Sequence, residues 1–89
     1  MRFVKIGDIY FNPMQIELIK PDVYKIDSKY VPNVEVWTDG KAHSFEGGAL
    51  DLQVPDCFDK WEALGIADAM TEKVVSAVNE AMGGGDTDG

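Results

Sequence analysis

The residues that could do chemistry in this chain are few, and most fall in one stretch. Asp51, Asp56, Asp59 and Glu62 stand close together, and carboxylate oxygens are the ligands that a hard cation such as calcium or magnesium takes. Asp56, Asp59 and Glu62 recur at a spacing of three, which places them along one side of a helix. The spacing does not fit an EF-hand loop, whose ligands alternate around a glycine at the sixth place. A solvated face that complements the positive end of a helix dipole accounts for the same pattern, so no metal and no cofactor is assigned. His43 has no second histidine with which to build a zinc site. Ser44 follows it directly, so in a strand the two point to opposite faces and cannot form a dyad. Cys57 is the only cysteine. An internal disulfide is therefore impossible, and the residue reads as a small buried or half-buried apolar side chain. No G-x-S-x-G, phosphate loop or G-x-G-x-x-G occurs. Gly83-Gly84-Gly85 follows a helical stretch, whereas a phosphate cradle precedes one. The expectation is a chain with no catalytic residues, one that binds rather than reacts.

Charge says more about what it would bind. Residues 1–45 carry six basic and six acidic side chains, and residues 46–89 carry two against ten, so the whole net charge of −8 sits in the second half. Direct contact with nucleic acid is disfavoured, because lysines and arginines are needed to displace phosphate counterions. Anionic membrane surfaces are disfavoured for the same reason. The fitting partner is a protein with a basic surface, which includes a groove shaped for nucleic acid whose charge the carboxylates would mimic. The side chains expected to dock are Asp56, Asp59, Glu62, Asp68, Glu72 and Glu80.

The elements that must position these groups follow from turn residues and periodicity. RFVKI at 2–6 and IYFN at 9–12 read as two strands joined by a tight turn at Gly7-Asp8. Asn12-Pro13 should end the second, and QIELIK at about 15–20 reads as a third. Pro21-Asp22 is a turn signal, VYKI at 23–26 could return by hairpin, and 27–32 reads as a loop. VEVWT alternates strictly. Asp39-Gly40 is the strongest hairpin signal, because a type I′ turn needs positive φ at both central residues. KAHSFE is its return strand. A two-residue turn fixes register, setting Thr38 opposite Lys41, Trp37 opposite Ala42, Val36 opposite His43 and Val34 opposite Phe45. Val34, Val36, His43 and Phe45 then share the core face, with His43 tucked at its margin. Trp37 stands on the opposite face, where residues 27–32 or 47–54 could cover it, or where it could anchor a partner.

Gly47-Gly48 breaks the sheet, and ALDLQVP reads as an edge strand or an ordered loop. Pro55 suits a first helical position. Phe58, Trp61 and Leu64 at spacing three suggest a short helix over 56–64. After Gly65, a longer helix over about 68–82, capped by Asp68 or Thr71, presents Met70, Val74, Val78 and Met82, joined by Val75 and Ala81. One helix kinked at Gly65 is the other reading.

The segments YFNPMQIELIKPD and VEVWTDGKAHSFEG resemble the FlbD-type small flagellar proteins through Asn12, Pro13, Ile16, Ile19, Pro21, Asp22, Val34, Val36, Asp39, Gly40, Lys41 and Phe45. Residues 23–33 would be an insertion, and the helical half is longer than in that family. Small phage-encoded sheet-plus-helix proteins have similar short sequences. The resemblance implies a sheet-plus-helix fold.

These readings give an α+β fold: an antiparallel β-meander of four to five strands with one or two C-terminal helices packed on one face. Residues 1–82 form a single domain and 83–89 a flexible tail. The expected core is Phe3 or Val4, Ile6, Ile9, Phe11, Ile16, Leu18, Val34, Val36, Phe45, Phe58, Trp61, Leu64, Val74 and Val78. The N-terminus lacks the long apolar run and small-residue cleavage site of a signal peptide, and no run reaches the length of a membrane span, so a cytoplasmic protein is expected. The expected function is a non-enzymatic protein-interaction module that docks its acidic helical surface. The alternative is an assembly subunit that self-associates through the sheet edge or the Trp37 face.

Overall fold

The computed structural model describes residues 2–84. Two-residue turns fix its strand pairing. Gly7-Asp8 joins β1 (Val4–Ile6) to β2 (Ile9–Phe11), Asp27-Ser28 joins β3 (Ile16–Ile26) to β4 (Lys29–Thr38), and Asp39-Gly40 joins β4 to β5 (Lys41–Glu46). At the last turn φ is 53° for Asp39 and 76° for Gly40, the two successive positive values of a type I′ turn. β1 and β2 form one antiparallel ribbon, and β3, β4 and β5 form a second antiparallel sheet in that order. A single helix, α1 (Lys60–Asn79), follows and ends in a wider helical turn at Glu80–Gly84. The architecture is α+β, and no helix among the described residues is long and apolar enough to cross a membrane.

The β4–β5 register is the expected one at all four positions, Thr38 with Lys41 through Val34 with Phe45. β3 departs from expectation. Pro21-Asp22 is not a turn. The strand runs through it, with Pro21 opposite Val34 and Asp22 opposite Asn33. The physical reason is position: β3 is an edge strand, and an edge proline whose missing N–H faces outward removes no ladder bond. Residues 27–32 are correspondingly not a loop. Asp27 takes a φ of 56° and turns the chain at once, so β4 begins at Lys29. Two residues of β3 stand against one of β4 between Ile16 and Leu18, a bulge that places Glu17 as the extra residue. It turns Ile16 and Ile19 toward the core and leaves Leu18, an expected core residue, 45% exposed on the outer face.

The core lies between α1 and one face of the three-stranded sheet, with the β1–β2 ribbon beside it. It gathers Val4, Ile6, Phe11, Val34, Val36, Phe45, Met70, Val74, Val78 and Ala81. Val4 and Ile6 are buried and Phe3 is exposed, which settles the parity of the first strand. Ile9, beside the first turn, sits at the margin and is 39% exposed. The segment expected as an edge strand or loop is a 3-10 turn at Gly47–Leu50 followed by irregular chain. Leu50, Leu52 and Val54 pack onto the core. Of the expected tail, Gly83 and Gly84 belong to the helical turn, and 85–89 lie outside the described residues.

Candidate functional site

The helical half is one helix, not two, and this decides where the acidic side chains go. Gly65 is exposed with open space around its Cα, and an interior glycine costs only about 1 kcal/mol relative to alanine. Neither Pro55 nor Asp68 nor Thr71 starts the helix. Asp59 is the N-cap, its side chain accepting from the Trp61 N–H at 3.2 Å. Thr71 instead donates its hydroxyl to the Ala67 carbonyl at 2.8 Å. The buried side of α1 is Ala63, Ala67, Met70, Val74 and Val78, at spacings of four and three as one helical face requires.

That phase turns Trp61 away from the core, and Phe58 precedes the N-cap, outside the helix. Both were expected inside, and both are exposed, Trp61 at 75% and Phe58 at 62%. Ala63 and Ala67, each fully buried, explain why: small side chains on the inner face let the helix lie close to the sheet, leaving no room for an indole beneath it. On the outer face Trp61, Gly65, Asp68 and Glu72 follow one another at spacings of four, three and four. They form one line, exposed throughout.

The six carboxylates expected to dock are all exposed, but they do different things. Asp68 and Glu72 lie on the Trp61 line. Glu62 lies on the neighbouring line with Lys73. Asp56 pairs with Lys29 at 3.3 Å, Glu80 with Arg2 at 3.2 Å, and Asp59 is held by its cap. Asp51 ends the 3-10 turn in a left-handed conformation with φ of 58°. Among the described residues no group of three or more histidine, cysteine or acidic side chains could hold a metal ion.

The remaining singled-out residues are tied into the fold. His43 is half-buried at the core margin, edge-on to Phe11 with ring centroids 5.3 Å apart, and its Nε2 lies 3.1 Å from the Thr38 hydroxyl. Cys57 is 1% exposed and donates its thiol to the Pro55 carbonyl at 3.4 Å. Burial pushes the thiol pKa up, and the Glu62 and Asp56 carboxylates add to the rise. Trp37 is half-buried on the outer sheet face, with its Nε1 donating to Glu35 at 3.0 Å. Neither segment expected to cover it does so. Lys29 lies at the opposite end of β4, and 50–54 pack on the core side. On the same outer face the Tyr24 hydroxyl donates to Glu46, and this bond, followed by burial, raises the Tyr24 pKa.

Sequence reasoning passed over Trp61 as a surface residue. Extending the Met70, Val74, Val78 face backward in steps of three and four reaches Ala67 and Ala63 and skips Trp61. Comparison with known protein families, with curated proteins and with solved structures finds no match.

Proposed function

We propose that this chain is a non-enzymatic protein-interaction module that docks the outer face of α1 on a partner with a basic surface. The observation that carries the reading is Trp61, 75% exposed on the same helical line as Asp68 and Glu72. A solvent-exposed tryptophan has area that folding has not used, and tryptophan is among the residues most enriched at binding hot spots. Among the described residues the two carboxylates beside it make no ion pair, so their charge is available to steer an encounter. Gly65 leaves the middle of the line low, which allows close approach. The outer sheet face supports docking less, because Trp37 is half-buried and its indole N–H is already taken by Glu35.

The test is capture of a partner from source-cell extract by the full chain, followed by association kinetics with the purified partner. Glu62→Gln, Asp68→Asn and Glu72→Gln together should slow association several-fold at low salt, since charge steering acts mainly on the on-rate. The same substitutions should leave folding almost unchanged, because exposed helix charges contribute tenths of a kcal/mol. Association at the wild-type rate in low salt overturns the proposal.

A further inference from the structure

The open edge of β3 matches itself, and one residue stands in the way. The edge has no neighbouring strand: β3 pairs only with β4, and among the described residues no backbone group from Leu18 to Lys25 makes a hydrogen bond outside that ladder. Which groups face outward follows from Tyr30. Its amide donates to the Cys57 carbonyl at 2.7 Å, so Tyr30 turns away from β3, and so do Pro32, Val34 and Val36 at every second place. Their partners Lys25, Val23, Pro21 and Ile19 therefore aim their backbone groups at the free edge. Both prolines sit where no β3–β4 bond is lost. Pro32 also explains why β5 stops at Glu46, since the next bonded pair would need the N–H that Pro32 lacks.

Consider a second copy laid antiparallel along this edge with the two-fold axis through Pro21. Lys20 then stands opposite Asp22, Leu18 opposite Tyr24 and Ile19 opposite Val23, while Glu17 lies in the bulge with its carboxylate accepting from the Gly40 N–H at 3.1 Å. Within those pairs each charge meets its opposite and each apolar residue meets an apolar one, twice over by symmetry. Cross-strand pairs of these kinds stabilise a sheet, whereas like charges directly opposed destabilise it. Shifting the register to centre on Lys20 or Asp22 sets that residue against its own like charge. Centring on Ile19 or Val23 sets Lys20 against Leu18 or Ile26, so only the Pro21 register pairs Lys20 with Asp22.

In that register Pro21 faces Pro21 at a bonded position. Both N–H groups are missing, and the proline Cδ stands where each hydrogen would be. At the usual N···O separation of about 2.9 Å and an N–C bond of about 1.5 Å, Cδ would lie only about 1.5 Å from the opposing carbonyl oxygen. The two strands cannot close.

We propose that β3 is a latent surface for association with a second copy of this chain, held shut by Pro21. Proline at a sheet edge is a known guard against strand pairing, and here it sits at the centre of the one register that charge would select.

The test is the mass of the full chain in solution, by light scattering and sedimentation across a concentration series, with circular dichroism to establish folding. Pro21→Thr supplies the missing N–H and removes the ring at an edge position where no ladder bond changes. Wild type should keep the mass of one chain, and Pro21→Thr should move to two. Adding Asp22→Lys to Pro21→Thr places lysine against Lys20 on both sides of the axis and should return the mass to one chain. A folded Pro21→Thr chain that stays at one-chain mass up to about 1 mM, well above the Kd of an interface worth more than a few kcal/mol, overturns the proposal. So does a dimer that Asp22→Lys leaves intact, or a wild-type dimer that the same substitution dissolves.

Discussion

Replacing Trp61 by alanine separates what folding needs from what docking needs. The side chain is 75% exposed, so about a quarter of the 150–250 Å² that a buried aromatic covers is in contact with the protein, roughly 50 Å². At about 25 cal/mol per Å² this amounts to ~1 kcal/mol. Alanine recovers up to about half of it, being the better helix former. The net loss should be under ~1 kcal/mol, a fall in Tm of no more than about 4–8 °C for a domain this size. At an interface the same truncation should cost at least about 2 kcal/mol if Trp61 is the anchor, a loss of roughly thirtyfold in affinity. Thermal melts and isothermal titration with the captured partner read the two numbers separately. Trp37→Ala is the contrast. It removes a half-buried indole and its bond to Glu35, so it should lower stability more than Trp61→Ala and affinity less. Wild-type affinity in the Trp61→Ala chain, or a loss matched by Trp37→Ala, refutes the assignment of the interface to α1.

Three further outcomes test the fold itself. Met70 is 2% exposed in the middle of the core, and Met70→Ala should cost about 2–5 kcal/mol in a denaturant titration, whereas Met82→Ala, at a position 43% exposed, should be nearly silent. Gly40→Val should cost about 1–3 kcal/mol. Nothing lies within 4 Å of the added Cβ, so the loss would come only from forcing a β-branched residue to a φ of 76°. Cys57 should react with a thiol reagent at neutral pH far more slowly in the folded chain than in denaturant, because the thiol is buried and its pKa raised. Its folded pKa lies above the unfolded value of about 8.5, so the neutral buried thiol stabilises the fold below that value. The contribution is lost as pH rises through the folded pKa, and Cys57→Ala should flatten that alkaline fall.

The strands show what a local sequence signal can and cannot carry. Asp39-Gly40 gave the β4–β5 turn, its type and its register, because glycine at positive φ beside an aspartate has few other uses. Asp27-Ser28 turns the chain just as sharply, yet it has no glycine, and the residue types point to a turn one segment early at Pro21-Asp22. Whether a proline ends a strand depends on whether its missing N–H faces a neighbour. That is set by the position of β3 at the sheet edge and by parity from the next turn, neither of which is written in the residues around Pro21. The bulge at Glu17 has the same character: it moves Leu18 from the core face to the outer face, and an alternating pattern across 15–20 does not reveal it.

The helix shows why the candidate interface was harder to see than the fold. Two aromatics and a leucine at spacing three look like a core face, and Gly65 looks like the place where one helix stops. Both inferences fail together. Once the helix runs through Gly65, its phase is set by Met70, Val74 and Val78, and the inward positions at its start are alanines. The large side chain of Trp61 then has no interior to occupy, and Phe58, ahead of the N-cap, is exposed as well. Large apolar side chains normally fill a core that is short of volume, as it is in a chain this small. Here small residues are buried and large ones are left in water, at the end of a helix whose outer line continues into Asp68 and Glu72. Folding stability does not account for that inversion. The docking proposed above would account for it, through a partner surface apolar opposite Trp61 and basic opposite the two carboxylates.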